Sequence, residues 1–268
     1  MKTLKYLATG LACMALLAGF SSCSDDDDNA GDTIDTGAVF TNGWPKSAPG
    51  IYSITRNAEG LVTAMETDGG DVTFDYHNIK TRADGDAYVL MTITYSEESY
   101  AELKMRLGGN GFVSNCDMTY YDYGETDHKS WKLSYNSAGQ LNRVRYSSSD
   151  ENEETRITYS GGDITNVTEK DNIDGDEYSY DILYTDDEVT TPIENKGNVM
   201  LFDETLYIDL DQLGYAYYAG LLGKATRHLP VGYYSPEYDD GYSYSWGIDE
   251  SGFPIWIDYG DGSEYFEW

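Results

Sequence analysis

Between residues 51 and 200 apolar and polar residues alternate in short runs. In TRITYS (155–160), Ile157 and Tyr159 stand between Arg156, Thr158 and Ser160. GIYSITR, DVTFDYH, AYVLMTITY, WKLSY and EYSYDILY repeat the pattern. A period of two puts one face against a core and the other in water, the mark of antiparallel sheets. The chain carries 26 tyrosines, a residue that suits a half-buried strand face. The pattern predicts an all-β fold: an antiparallel meander of roughly 14–16 strands, forming a curved sheet or a water-soluble barrel.

The breaks between runs have a chemistry of their own. NAEGL (57–61), NSAGQL (136–141) and DESGF (249–253) share Asn or Asp, two variable residues, Gly, and a large apolar residue close behind. Asn57, Asn136 and Asp249 can accept hydrogen bonds from backbone two residues on, and Gly60, Gly139 and Gly252 can take positive φ. These are predicted type I turns with a bulge, connecting hairpin strands. LGGNGF (107–112) and SGGDI (160–164) read as degenerate copies. After the Gly, apolar residues fall three apart: Leu61 and Ala64, Leu141 and Val144, Ile164 and Val167, Phe253 and Trp256. That spacing predicts a bulged, twisted return strand. Asp-Gly pairs in ADGD (83–86), IDGD (173–176) and GDGS (260–263) read as further turns. A calcium loop of the EF-hand kind needs Asp five residues before the Gly, where this chain has Lys80, Lys170 and Ile257.

One segment departs from the strand pattern. In DQLGYAYYAGLLGKATRH (211–228), Leu213, Ala216, Tyr217, Gly220 and Leu221 fall at helical spacing. Asp211 suits a helix start and Gly223 a helix end, with Lys224 and Arg227 near the negative end of the dipole. This predicts one short helix over 211–223, covering a face or the open end of the sheet. GKAT is not a phosphate loop: Tyr218 stands where the first Gly is required, and Ala225 replaces Ser or Thr.

The first residues read as an address. Lys2 and Lys5 precede an apolar stretch, Leu7–Phe20, too short to span a bilayer comfortably. FSSC (20–23) resembles a bacterial lipoprotein processing site, with Phe20 where such sites carry Leu. The resemblance implies cleavage before Cys23 and acylation of that cysteine, palmitate included. Ser24, Asp25, Asp26, Asp27 and Asp28 form a like-charge run that stays solvated. The run resembles the acidic export tag of surface lipoproteins of Gram-negative gut commensals, which implies display on the outer membrane. The organisation expected is a signal peptide (1–22), a lipid-anchored acidic tether (23–44) and a single β domain (45–268).

Charge narrows the partners. The formal net charge is −31, from 17 basic and 48 acidic residues. Losing Lys2 and Lys5 with the signal makes it about −33. A surface so acidic excludes general nucleic-acid binding and disfavours adsorption to anionic lipid, leaving the anchor to hold the membrane. With Cys13 removed and Cys23 acylated, only Cys116 of the three cysteines remains, so no intramolecular disulfide is expected. Cys116 reads as a small buried hydrophobe. His77, His128 and His228 lack metal-ligand spacing, and no Gly-x-Ser-x-Gly elbow occurs. No catalytic residue, metal ligand or cofactor is assigned.

Aromatics offer the better site. VGYYSPEYDDGYSYSWGID (231–249) is dense in Tyr, and strand alternation puts Tyr242, Tyr244 and Trp246 on one face. Exposed, they would stack on sugar rings; buried, they would pack across strands. The terminal EYFEW resembles the end signal of an outer-membrane barrel. Charges on both faces of runs such as ENEETRITYS exclude an inserted barrel, so Glu264–Trp268 is expected to close a water-soluble sheet.

YNSAGQLNRV (135–144) resembles the YD repeat of Rhs-type proteins, with Tyr135, Asn136, Gly139, Leu141 and Val144 in the pattern's places. The lipoprotein signal, the acidic run, these hairpins and YYAGLLGKATRHLP (217–230) together resemble a family of uncharacterised Gram-negative surface lipoproteins with a porin-like fold. That resemblance implies a porin-like barrel and a location, but no activity. The reading is a non-catalytic binding module for a glycan or a partner protein. A structural or assembly component of the envelope is the alternative, and a glycan-active hydrolase ranks third.

Overall fold

The computed structural model describes residues 39–79 and 87–268. Cys23, the Ser24–Asp28 run and the ADGD turn lie outside the described residues. The strands are β1 (Ile51–Arg56), β2 (Val62–Thr67), β3 (Gly70–His77), β4 (Tyr88–Thr94), β5 (Ser99–Leu107) and β6 (Val113–Asp122). They continue as β7 (Glu125–Tyr135), β8 (Leu141–Ser147), β9 (Asn152–Ser160), β10 (Asp163–Asp171), β11 (Glu177–Leu183) and β12 (Ile193–Glu194). A short helix, α1 (Phe202–Leu206), precedes β13 (His228–Leu229), β14 (Gly232–Ser235) and β15 (Asp240–Ser243). The chain ends in β16 (Ser245–Ile248), β17 (Pro254–Asp258) and β18 (Ser263–Tyr265).

Thirteen strands form one antiparallel sheet, ordered β1 to β11 and then β14 and β15. Each of the first eleven pairs with its sequence neighbour, as the alternation predicts. The sheet is open, with β1 and β15 as edges. Its strands bury one face, including Phe74, Met91, Leu103, Cys116, Trp131, Val144, Ile157 and Val167. Met200, Leu201, Phe202, Ile208, Leu213, Tyr217 and Leu221 join the same core. The excursion between β12 and β13 therefore packs on the buried face of the sheet.

The expected turns are present in atomic detail. Asn57 Oδ1 accepts the amides of Glu59 and Leu61, both at 3.0 Å. Asn136 Oδ1 accepts those of Ala138 and Gln140 at 2.9 and 3.0 Å, and Asp249 Oδ1 those of Ser251 and Phe253 at 2.8 and 2.9 Å. Gly60, Gly139 and Gly252 have φ of 83°, 83° and 89°. A bulge follows each turn on the return strand: the register skips Thr63 opposite Thr55 and Arg56, Asn142 opposite Ser134 and Tyr135, and Ile255 opposite Gly247 and Ile248. At 107–112 Gly108 replaces the Asn, yet its amide still meets the Phe112 carbonyl at 2.8 Å. The SGGDI reading is corrected: Gly161 and Gly162, at φ 64° and 97°, form a two-residue turn between paired Ser160 and Asp163.

The helix expected over 211–223 is present in its first part only, as a 3-10 turn rather than an α-helix. A 3-10 helix covers Asp211–Tyr217, and Asp211 has φ 48° rather than capping a helix. Residues 216–223 are buried throughout, so the segment has no wet side and its apolar spacing is not a helical stripe. Its backbone instead serves the hairpin ends. Leu221 O accepts the Val113 amide at 2.9 Å, Lys224 N donates to Gly139 O at 2.9 Å, and Arg227 N donates to Gly162 O at 3.1 Å. The small helix α1 had no signal of its own.

The C-terminus does not close the large sheet. β18 pairs with β17 in a separate three-stranded sheet. That sheet lies across the seam: Lys46 N donates to Glu267 O at 2.7 Å, and Ile54 N of edge strand β1 donates to Lys46 O at 2.9 Å. Tyr244 N ties it to Val231 O, beside β14, at 2.9 Å. The core also takes in Val39 and Phe40.

Candidate functional site

Strand register carries side chains from the core to an open end. One cross-strand row runs Val89, Met105, Cys116, Trp131, Tyr146, Glu153 and Asp171. It begins apolar and ends acidic. Beside it, Leu133, Val144, Thr155, Glu169 and Tyr178 form a second row. Where the first row reaches solvent, Lys129, Trp131, Tyr146, Glu151 and Glu153 meet Asp209, from the loop after α1, and Asp211, at the start of the 3-10 helix. Together they line a cleft of about 220 Å3.

Each group in the cleft is held. Lys129 Nζ bonds Asp211 at 2.6 Å and lies 6.0 Å from the centre of the Tyr146 ring. Burial opposes the Lys129 charge, but the Asp211 carboxylate outweighs it and raises the pKa. The Tyr146 hydroxyl donates to Glu151 at 3.0 Å, and its ring packs on Trp131 at 5.4 Å. Burial, then the charges of Glu169, Glu151, Asp209 and Asp171, push the Glu153 carboxyl up. Glu169 and Asp203 are raised by burial and by Asp209. The cleft thus offers one half-buried aromatic plane, several carboxylate acceptors and a single ammonium. Among the described residues no group of three or more His, Cys, Asp or Glu is arranged to hold a metal ion.

Of the sequence-selected aromatics, Tyr242 and Tyr244 meet with ring centres 5.9 Å apart, while Trp246 packs against Phe266. Tyr242 lies on β15, Trp246 on β16, and Tyr244 between them, where the chain leaves one sheet for another. Tyr242 is 42% exposed, while Tyr244 is buried with its hydroxyl on Thr205 O at 3.2 Å. Trp246 Nε1 donates to Pro230 O at 2.7 Å, and its ring stacks on Phe266. The single strand face fails because alternation does not survive a change of sheet. Asn57, Gly60, Asn136, Gly139, Asp249 and Gly252 sit in the turns already described.

Cys116 is buried in β6, and burial raises its thiol well above the ordinary range. The histidines are spread over the fold: His77 stacks on Tyr88 at 4.5 Å, His128 meets Thr119 at 3.2 Å, and His228 meets Asp163 at 2.7 Å. Sequence reasoning missed Lys129, Tyr146, Glu153, Asp209 and Asp211. A signal existed in ETDHKSWKLSY (125–135), where Lys129 and Trp131 share a strand face, a cation next to an aromatic. Nothing local linked them to residues some eighty positions on.

The fold has solved counterparts. The crystal structure of a porin-like protein from Bacteroides uniformis ATCC 8492 is similar with a TM-score of 0.51 and 16% identity, over 80% of this chain and 85% of that one. That of a porin-like protein from Bacteroides vulgatus ATCC 8482 has a TM-score of 0.50 and 14% identity, over 83% and 93%. At such identity the likeness is one of fold. No curated protein matches the chain. A family profile matches residues 54–255, from within β1 to within β17, so the chain belongs to the family described as a domain of unknown function (DUF4595) with porin-like fold.

Proposed function

We propose that this protein is a lipid-anchored module on the outer-membrane surface that binds a glycan without processing it. The anchor at Cys23 and the acidic run Ser24–Asp28 support the location. One observation carries the binding: the Tyr146 ring is fixed by Trp131 and Glu151 in a cleft with Glu153, Asp209, Asp211 and Lys129. An aromatic plane covers the apolar face of a sugar, and carboxylates beside it accept the hydroxyls. Because Tyr146 is already held, little freedom is lost on binding.

Glycan pull-down and array binding test the reading. Tyr146→Ala is expected to abolish binding, and Tyr242→Ala, outside the cleft, to leave it intact. No binding across a broad glycan panel would overturn the glycan reading and favour a protein ligand or an assembly role. Hydrolysis that vanishes in Glu153→Gln would overturn the non-catalytic part.

A further inference from the structure

A second cavity, of about 210 Å3, lies beside α1 and shares Asp209 and Asp211 with the Tyr146 cleft. Its walls include Ile51, Met200, Phe202, Ile208 and Leu210, all buried core residues. Its rim carries Asp203 and Glu204, both solvent-exposed. Burial and the neighbouring Asp209 raise the Asp203 carboxyl, so its charge is poorly compensated. The Glu204 carboxyl is raised too, by reduced solvation of its charged end and by the charges of Asp203, Glu264 and Asp68, while the residue as a whole stays exposed.

An independent observation sits in the wall. Tyr218 is only 5% exposed, lines this cavity, and its hydroxyl has no hydrogen-bond partner. Burial, then the charges of Glu204 and Glu264, raise that hydroxyl. A buried hydroxyl without a partner is costly, and a ligand N–H would satisfy it. The rim acids are not arranged around a common metal position. Separated carboxylates above an apolar wall suit a cation that carries its own apolar body.

We propose that this cavity binds a small organic ammonium, with the charged head between Asp203, Glu204 and the Tyr218 hydroxyl and the apolar body against Ile51, Phe202 and Ile208. A cavity of about 150 Å3 accommodates benzene, so the size fits a short alkyl chain. The proposal does not rest on glycan binding, because Tyr146 does not line this cavity.

The test is titration of the folded protein with n-pentylammonium and with n-pentanol, followed by calorimetry and amide NMR shifts. Saturable binding of the ammonium, about tenfold tighter than the alcohol, is expected. Asp203→Asn combined with Glu204→Gln should erase that preference while alcohol binding persists. Both positions are exposed and outside the core, so this variant is expected to fold and decides the question even if Tyr218→Phe does not fold. Where Tyr218→Phe folds, ammonium affinity should drop by about threefold, the size expected for one modest hydrogen bond. Equal affinity for ammonium and alcohol, no saturable ammonium binding, or a preference that survives the double substitution would each overturn the proposal.

Discussion

The amide of Lys224 donates to the carbonyl of Gly139 at 2.9 Å. Three residues earlier Leu221 meets Val113, and three residues later Arg227 meets Gly162. These partners sit at the ends of three successive hairpins, β5–β6, β7–β8 and β9–β10. Two strands span about 9.6 Å across a sheet, and three extended residues span about 10 Å. The two periods match, so the segment works as a rail along the hairpin ends. The Asx-x-x-Gly turn is thus both a corner and a docking point.

Gly223 is where the rail passes closest. A Cβ there would lie 2.8 Å from Gly139 O and 2.9 Å from the Tyr135 ring, at φ 92°. Gly223→Ala is expected to cost about 2–4 kcal/mol, from strain plus overpacking. Gly60→Ala shares the positive φ but has nothing within 4 Å, and is expected to cost only about 1 kcal/mol. Gly139→Val, whose Cβ would meet Phe112 at 3.3 Å, falls between at about 1–3 kcal/mol. Urea unfolding of the three variants checks the order; equal costs would refute the rail contact.

Tyrosine hydroxyls tie one hairpin to the next. Tyr135 donates to Val113 O and Tyr159 to Leu141 O, each at 2.8 Å. Tyr184 accepts the Ile164 amide at 3.1 Å. The Tyr that opens YNSAGQL is therefore a staple to the preceding hairpin. Tyr135→Phe and Tyr159→Phe should each cost about 0.5–1.5 kcal/mol and add in the double variant, because they lie on separate hairpins. Denaturation midpoints of the two singles and the double test this.

Glu154 gives the outer face a pH dependence. Burial opposes its charge, but Arg145, Arg143 and Arg156 bond it and hold the carboxyl at about 2. The unfolded value is about 4.5, so the stabilisation is complete above that pH and is lost as pH falls toward 2. The arginines are themselves partly solvated, which limits the effect to about 1 kcal/mol. Wild type should therefore exceed Glu154→Gln in stability at pH 7, with the gap closing by pH 2–3 in melts run side by side. A gap independent of pH would rule out the ionic account.

Cys23→Ala should abolish palmitate incorporation and release the protein from the membrane fraction. Replacing Asp25–Asp28 with Asn should keep the lipid but protect the protein from protease added to intact cells. Full protection of the wild type until lysis would rule out surface display.

What the sequence determined is local. Alternation fixed the all-β class because side-chain direction along a strand depends only on neighbouring residues. The turns at Asn57, Asn136 and Asp249 were legible because their hydrogen bonds close within four positions. Tertiary structure decided the rest. It ended the helix at Tyr217 and made residues 218–223 a buried rail, since apolar spacing cannot tell burial on one side from burial on all sides. It put Tyr242 and Trp246 on different sheets, with Tyr244 buried at the crossing between them. It brought Lys129 and Tyr146 to Asp209 and Asp211, because strand stagger and the path of a long excursion are set by packing across the whole sheet.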